Sequence, residues 1–280
     1  MPMKAQYQSN IDEILKRRHD NGADYWSTSD GKIMKGSPFT TLDCATMLMD
    51  LGMENTHPVL EETAKLIFRT LRADGRFKIS PTGAIYPCHT INVVRTLCCL
   101  GYANDIRLAP TWDHLLQTQY SDGGWRCNKF SFGRGPETAS SNPGPTLTAL
   151  DAFRYTSHLN QSEALDRAVA FLLDHWTIRK PIGPCHYGIG SRFLQVSYPF
   201  SNYNLFLYVY VLSFYHRTQT DPRFREALAV LQSKLVHGHI VVDKQNPGLK
   251  ALSYCRQGEA CELGTLRYQE ILHYVQQSEG

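Results

Sequence analysis

The sequence predicts an all-α protein, an (α/α) toroid or barrel of about five helical hairpins. Amphipathic helical patterns recur along the 280 residues, and each is followed by a loop and a more apolar helical pattern. The apolar helices need cover on most sides, whereas the amphipathic helices can leave one face in water. We therefore expect an inner ring of apolar helices inside an outer ring of amphipathic ones, in a single toroid domain spanning 1–280.

The outer helices are recognised by apolar residues at helical spacing and by their starts. An N-terminal helix is expected around 10–19, from Ile11, Ile14 and Leu15. The later apolar faces are Leu60, Ala64, Ile67, Phe68 and Leu71; Leu165, Ala168, Val169, Leu172 and Trp176; and Phe224, Ala227, Leu228, Leu231 and Leu235. The starts are marked by Pro58 with Glu61 and Glu62, Pro110 with Asp113, Asn160 with Glu163, and Asp221 with Pro222.

The inner helices are expected at 41–52, 90–101, 144–155, 204–215 and 263–274. In a toroid, every loop that leads from an outer to an inner helix lies at the same end. These loops are expected at 20–38, 73–87, 120–143, 178–202 and 237–262. Five cysteines in or beside these loops should therefore meet at one mouth of the barrel, namely Cys88, Cys127, Cys185, Cys255 and Cys261.

Composition narrows the classes of partner. The net charge is +3, 20% of the residues are charged, and the basic residues are scattered, which argues against nucleic acid or a membrane surface. The first ten residues lack an apolar stretch, so we expect no secretory signal. The longest apolar run, 204–215, is too short for a transmembrane helix. We expect a cytoplasmic protein with a small-molecule substrate, and a homo-oligomer is left open.

One motif carries a family resemblance. The stretch 115–127 reads LLQTQYSDGGWRC, and weaker echoes occur at 27–33 and 71–77. Its motif residues are Gln119, Asp122, Gly123, Gly124 and Trp125. The motif resembles the QW repeat of squalene and oxidosqualene cyclases and the related repeat of protein prenyltransferase β-subunits. The resemblance implies the (α/α) barrel of the terpenoid-cyclase and prenyltransferase-like superfamily, as a small single-domain member. In the motif, the glycines should turn the chain sharply and the tryptophan should pack on the next repeat.

That superfamily implies two kinds of chemistry. Class II cyclases protonate their substrate with an aspartic acid, and Asp43-Cys44-Ala45-Thr46-Met47 partly echoes the oxidosqualene-type motif. Protein prenyltransferases bind zinc through Asp, Cys and His at inner-helix N-termini. The stretch 85–101 resembles the one that supplies their histidine ligand, with His89 or Cys88 at the matching place. The partner Asp-x-Cys is missing from the matching helix, so a zinc site here would be a rearranged one.

The cysteines favour a metal site. Eight cysteines without a secretory signal point to metal ligation, catalysis or burial rather than to disulfides. Zn²⁺ prefers four thiolate or imidazole ligands. The set that the loops predict is Cys88, Cys127, Cys185 and His186. Two alternatives stay open: the thiols pack inertly, or one is a nucleophile with His89 or His186 as base, for which Cys88 with His186 is the better pair. Cys98 and Cys99 lie in an apolar pattern and are interpreted as core.

The aromatic-rich stretch 191–215 predicts a cavity wall or the filling of the barrel. The candidates for proton transfer are Asp43, His89 and Tyr203. The candidates for substrate binding are Arg192, Tyr198, Asn204, Tyr208, Arg267 and Tyr268. Of these, Tyr203 and Asn204 begin an inner helix and should face the mouth.

The favoured hypothesis is a zinc-dependent enzyme related to prenyltransferases and terpene cyclases, a transferase or an isomerase or lyase. Its substrate would be small and hydrophobic, isoprenoid or aromatic. Two alternatives remain: a non-catalytic binding or scaffold toroid with a structural zinc, and a metal-free class II-type cyclase that uses Asp43 as its acid.

Overall fold

The computed structural model describes residues 5–133 and 135–276, and helices dominate them. Residues 1–4, which belong to the stretch where we expect no secretory signal, lie outside this range. The chain divides into two compact units. The N-terminal unit comprises Met1–Thr118 with Tyr155–Ser157, and the C-terminal unit comprises Gln119–Arg154 with His158–Gly280. The predicted all-α class is confirmed, whereas a single toroid of five hairpins stays a prediction.

The N-terminal unit alternates the two predicted helix types. Its helices are α1 (Gln8–Lys16), α2 (Thr41–Asp50), α3 (Pro58–Phe68), α4 (Pro87–Cys99) and α5 (Ala109–Gln117). The apolar helices α2 and α4 pack against each other, and α3 contacts both of them. Cys98 is buried as expected, whereas Cys99 is half-buried, with its sulfur 3.4 Å from the Tyr155 hydroxyl.

The C-terminal unit is organised around one fully buried helix. Its helices are α6 (Pro143–Phe153), α7 (Glu163–Ile178), α8 (Leu205–Ser213), α9 (Pro222–Gln232) and α10 (Glu262–Gln276). Every residue of α8 is buried, and the helix packs against α6, α9 and α10. The outer helix α7 packs on α6 and α9. In this unit α8 is therefore buried on all sides, whereas α7 and α9 keep an exposed face, which is the predicted contrast.

Two features of the C-terminal unit differ from the sequence prediction. Helix α10 buries only one stripe, of Gly264, Thr265, Tyr268, Ile271 and Val275, so it is amphipathic rather than apolar on all sides. Helix α7 begins at Glu163 with Ser162 at its N-cap, so the predicted start at Asn160 lies too early. Other starts are confirmed: Pro58 and Pro222 occupy the first turns of α3 and α9, and the Asp221 side chain accepts a hydrogen bond from the Arg223 amide at 2.9 Å.

Short strands join the long loops of the C-terminal unit. Strand β1 (Ser197–Tyr198) runs parallel to β4 (Lys244–Gln245), and β2 (Leu235–Val236) pairs antiparallel with β3 (His239–Ile240). The register pairs Ser197 with Lys244 and Tyr198 with Gln245. The β1–β4 pairing ties the loop before α8 to the loop before α10. Short 3₁₀ turns occur at Ala5–Tyr7, Ile106–Leu108, Pro136–Ala139, His216–Thr218 and Pro247–Leu249.

Within the described part of the chain, no helix combines the length and the apolar character that a membrane crossing needs.

Candidate functional site

The glycine–tryptophan motif forms a framework in the C-terminal unit. The Asp122 carboxylate accepts hydrogen bonds from the Ser141 amide and the Ser141 hydroxyl, both at 2.7 Å, and from the Gly124 amide at 3.1 Å. The Gln119 side chain donates to the carbonyls of Gly123 and Ala164, both at 2.6 Å. Buried acceptors and donors that are matched in this way hold a loop in one conformation. The motif thereby joins the two ends of the loop between α5 and α6 and fastens it to α7.

The glycine and the tryptophan of the motif play the predicted local roles. Gly123 has a φ of +92°, and a side chain there would meet the backbone of Arg167. Trp125 is 1% exposed, and its indole stacks on Phe153 of α6 with ring centroids 6.0 Å apart. Its backbone amide donates to the Thr146 hydroxyl at 3.0 Å. The residues that follow Trp125 are therefore placed against the start of α6.

This framework brings two of the predicted metal ligands together. The Cys127 and Cys185 thiols are neighbours, although they come from different loops, and Cys127 acts electrostatically on Cys185. The Cys185 amide donates to the Asn142 side-chain oxygen at 3.0 Å, and Asn142 is fully buried. Gly183 has a φ of +75°, and any side chain there would collide with the Ser141 carbonyl. The loop from α7 can thus reach Cys127 only with glycine at this position.

Cys185 is poorly suited to be a free thiolate. Burial raises the pKa of Cys185, and the neighbouring Cys127 raises it further. The Asn142 side chain acts in the opposite direction, more weakly. The Cys185 thiol is therefore protonated at neutral pH unless a cation displaces the proton. This favours a metal ligand over the nucleophile that the sequence left open at this position.

His186 follows Cys185 but is exposed. Its φ is +53°, in the left-handed region, and its Nε2 lies 3.6 Å from a Glu137 carboxylate oxygen. Within residues 5–133 and 135–276, no three His, Cys, Asp or Glu side chains are grouped so that they could hold a metal ion. Cys88 belongs to the N-terminal unit and the other three predicted ligands belong to the C-terminal unit. The thiol pair alone would supply two of the four ligands that zinc prefers, and the four-residue set stays a prediction.

In the N-terminal unit, Cys88 and His89 occupy the first turn of α4 and are half-buried. The His89 ring packs edge-on against Tyr86, with centroids 4.9 Å apart. Its Nδ1 is buried and has no hydrogen-bond partner among the described residues. Burial lowers the pKa of His89, so the ring is neutral at pH 7 and Nδ1 or Nε2 is free to accept a proton.

Asp43 lies in the first turn of α2, and Thr40 caps that helix. The Thr40 hydroxyl accepts from the Asp43 amide at 3.1 Å and donates to the Asp43 carboxylate at 2.7 Å. This reciprocal pair satisfies a free amide at the start of the helix. Burial raises the pKa of Asp43, and the Thr40 hydrogen bonds and the Arg95 charge oppose that rise. The residue thus has a structural role, and its predicted role as an acid stays a prediction.

Tyr203 pairs with a histidine that sequence reasoning missed. The Tyr203 hydroxyl lies 2.8 Å from Nδ1 of His175, and His175 is fully buried in α7. Nε2 of His175 lies 3.2 Å from the Lys180 carbonyl, which can only accept, so Nε2 carries the proton. Nδ1 must then accept the hydrogen bond that Tyr203 donates. Burial lowers the pKa of His175, which keeps the ring neutral. The sequence signal was a histidine beside Trp176 on the buried face of a striped helix.

An aromatic wall surrounds this dyad. The Tyr203 ring meets Tyr187 edge-on at 5.2 Å and Phe193 at 4.9 Å. Tyr187 lies two residues after Cys185, so the same loop carries a thiol and one side of the wall. Burial raises the pKa of Tyr203 well above its usual value, and its hydroxyl therefore stays protonated.

The predicted substrate-binding residues are mostly engaged within the fold. The Tyr198 hydroxyl is hydrogen-bonded to Tyr254, and the Tyr208 hydroxyl donates to the Leu172 carbonyl at 3.0 Å. Asn204 is 1% exposed and caps α8 by accepting from the Leu207 amide at 2.9 Å.

The remaining three predicted substrate contacts are placed differently. The Tyr268 hydroxyl accepts from Gln232 at 3.3 Å. The Arg267 guanidinium lies over the rings of Phe200 and Tyr210, 5.6 and 5.4 Å from their centroids. Arg192 is exposed. The predicted substrate contacts of all six residues stay predictions.

Comparison with models of known protein families gives no match for this chain, and comparison with curated proteins gives no significant match.

Proposed function

We propose that the chain is a zinc-dependent enzyme of the prenyltransferase and terpenoid-cyclase type, a toroid whose metal is bound at the Cys127–Cys185 pair. The observation that carries the proposal is the proximity of these two thiols, which come from separate loops of the C-terminal unit. Paired sulfurs from two rigid loops are a common half of a tetrahedral zinc site. His186 is the third candidate ligand, and a water or substrate atom would occupy an open position.

Two surrounding features support a rigid site. Asn142 is buried and holds the backbone of Cys185, and the Asp122 hydrogen bonds hold the segment around Ser141. A ligand whose support is itself hydrogen-bonded is held in orientation before the metal arrives. When bound, zinc would supply Lewis-acid chemistry.

The dyad of Tyr203 and His175 supports proton transfer, and Tyr187, which meets Tyr203, lies two residues after Cys185. Tyr203 donates to a neutral histidine, so its hydroxyl can pass a proton to His175 Nδ1 while it reacts with a substrate. Tyr187 and Phe193 form an apolar wall at the same place, which suits an isoprenoid or aromatic substrate. The substrate class rests on this wall and on the family resemblance.

The decisive experiment is elemental analysis of the protein purified without chelator and without a histidine tag. We expect about one zinc per chain, and a large loss in Cys127→Ser and in Cys185→Ser. Cys98→Ser, in the buried core of α4, is the matched control and should keep its zinc. Cys88→Ser and His186→Ala, measured alongside, identify the remaining ligands. Zinc near zero in the unaltered protein would refute the proposal.

Proton release offers a second measure of the same site. The raised pKa of Cys185 means that zinc must displace its proton on binding. The apparent zinc affinity should therefore rise with pH by about tenfold per unit for each thiol proton released. An affinity that does not change between pH 6 and pH 8 would rule out thiolate ligation here.

A second candidate is a non-catalytic scaffold with a structural zinc. It is favoured by the engagement of Asn204, Tyr198 and Tyr208 in internal hydrogen bonds. Cobalt substitution separates the two functions. If the site is open, added imidazole should shift the visible absorption bands of the Co²⁺ protein; if four protein ligands saturate it, the bands should not move.

The metal-free cyclase is tested with the variant Asp43→Asn. Loss of activity in a protein that never contained zinc would support Asp43 as the acid. Full activity in Asp43→Asn would exclude that role.

A further inference from the structure

A second pair of cysteines lies outside the proposed zinc site, in the loop before α10. The sulfurs of Cys255 and Cys261 are 2.9 Å apart, and both residues are buried. Cys261 directly precedes the first residue of α10, and its sulfur accepts a hydrogen bond from the Gly264 amide at 3.4 Å. We propose that Cys255 and Cys261 are a redox-active pair that closes to a disulfide by exchange with a low-molecular-weight disulfide such as oxidised glutathione.

The geometry assigns a different role to each sulfur. Cys261 lies within hydrogen-bonding distance of the Cys255 sulfur, and it accepts a hydrogen bond from the Gly264 amide at the start of α10, which favours its thiolate. Cys261 is therefore the attacking sulfur and Cys255 the resolving one. The pKa of Cys261 is lowered, which agrees with this assignment. The main cause is the Cys255 hydrogen bond, and the Gly264 and Leu263 amides and the Arg267 charge lower the pKa further. Burial acts in the opposite direction.

The exchange balances without any further reactant. The Cys261 thiolate attacks one sulfur of the small disulfide, which forms a mixed disulfide and releases one small thiolate. The Cys255 thiol then loses its proton and attacks the Cys261 sulfur, which releases the second small thiolate. Both small thiolates are protonated, so two protein thiols are oxidised and one small disulfide is reduced to two thiols.

A path to the buried sulfurs exists through the loop between them. Residues 256–260 are all exposed, and no atom lies near the space that a side chain at Gly258 would fill. The loop is held by backbone hydrogen bonds from Gly258 to Val242, from Val242 to Glu259 and from Cys261 to Ile240. Breaking these few bonds opens the pair to solvent while the helices stay folded. The closed disulfide would in turn fix the loop to the first turn of α10.

Peptide mapping tests the proposal, because Arg256 lies between the two cysteines. The native full-length chain is equilibrated with mixtures of reduced and oxidised glutathione, quenched with acid, alkylated and digested with trypsin. A Cys255–Cys261 disulfide links the peptides 251–256 and 257–267. A Cys127–Cys185 disulfide would instead link 127–129 to 180–192, so the two pairs are read separately.

We expect the 251–256 and 257–267 peptides to become linked at glutathione ratios that leave Cys44 and Cys98 reduced. Of the eight thiols, two should then be lost in the native protein. If the link fails to form in the native protein at every ratio, or forms only after denaturation, the proposal is wrong.

Single variants test the order of attack. Cys255→Ser should accumulate a glutathione adduct on Cys261, since the resolving thiol is missing. Cys261→Ser keeps a good helix-capping residue, should fold normally by circular dichroism, and should gain the adduct on Cys255 at least tenfold more slowly. Cys98→Ser is the matched control and should form the linked peptide at the unaltered rate. Equal adduct rates in the two variants would overturn the assignment of Cys261 as the attacking sulfur.

Discussion

The two thiol pairs of the C-terminal unit have the same atoms but opposite acid–base behaviour. Cys127 and Cys185 come from different loops, and burial raises the pKa of Cys185. Cys255 and Cys261 share one loop, and hydrogen bonds lower the pKa of Cys261 although it is also buried. The difference lies in the groups that lower each pKa. At Cys185 there is only the Asn142 side chain. At Cys261 there are the Cys255 thiol, the amides at the start of α10 and the Arg267 charge. A buried thiol's chemistry is thus decided by the groups that point at its sulfur, and burial alone does not determine it.

The largest expected effect comes from removing the support of the first pair. Trp125→Ala leaves a cavity against Phe153 and should lower the free energy of unfolding of the C-terminal unit by about 3–5 kcal/mol. Urea denaturation measures the loss, and alkylation should label Cys127 faster while Cys255 and Cys261 keep their slow rates. The exposed Phe132 offers the control, since Phe132→Ala should change stability by less than about 0.5 kcal/mol. If Trp125→Ala increases the alkylation rates of both pairs equally, Trp125 supports the two pairs to the same extent.

A smaller effect is expected at the amide beside Cys185. Asn142→Ala removes the acceptor for the Cys185 backbone amide and should cost about 1–3 kcal/mol, because that buried donor is left without a partner. The same change removes the one side chain that lowers the pKa of Cys185, so this pKa should rise further. Alkylation rates followed against pH measure this shift, and Cys261 should show none. The exposed Asn202→Ala is the matched control. A lower pKa for Cys185 in Asn142→Ala would contradict this account of the pair.

The Tyr203–His175 dyad should make stability depend on pH. Because the pKa of His175 is lowered in the folded state, the unfolded chain takes up the proton first as pH falls. The free energy of unfolding should therefore decrease below about pH 6.5, by at most about 1.4 kcal/mol per pH unit from this residue, and the effect is absent at higher pH. His175→Gln should flatten this part of the profile in urea titrations. An unchanged slope in the variant would assign the dependence to other histidines.

The smallest expected effect concerns the pKa of Cys261 in the second pair. Arg267→Gln removes a positive charge that favours the Cys261 thiolate, so the pKa of Cys261 should move up. The pKa of Cys185 should not change. Alkylation of both residues against pH in the same sample compares them directly. A shift at Cys185 of the same size would show that the substitution disturbs the whole unit and not the local charge.

Local patterns predicted the helices well and long-range contacts poorly. Pro58 and Asp221 marked true helix starts because capping and proline preferences act within one turn. Trp125 was expected to pack on the next repeat, and its indole stacks on Phe153 of α6. The two-residue strands carry no alternating pattern to detect, and α10 was taken as apolar although Arg267 and Glu270 already indicated a wet face. The pairing of Cys127 with Cys185, and of His175 with Tyr203, depends on how loops meet in space, which spacing along the chain does not encode.

The complete burial of α8 has a consequence for measuring this protein. A helix with no exposed face cannot fray while its neighbours stay in place, and every residue of α8 is buried while the helix packs against α6, α9 and α10. Its backbone amides should therefore exchange with deuterated solvent only when the C-terminal unit unfolds as a whole. The slowest deuterium uptake, read in peptides from Leu205–Ser213, would then report the total stability of that unit in every variant discussed above.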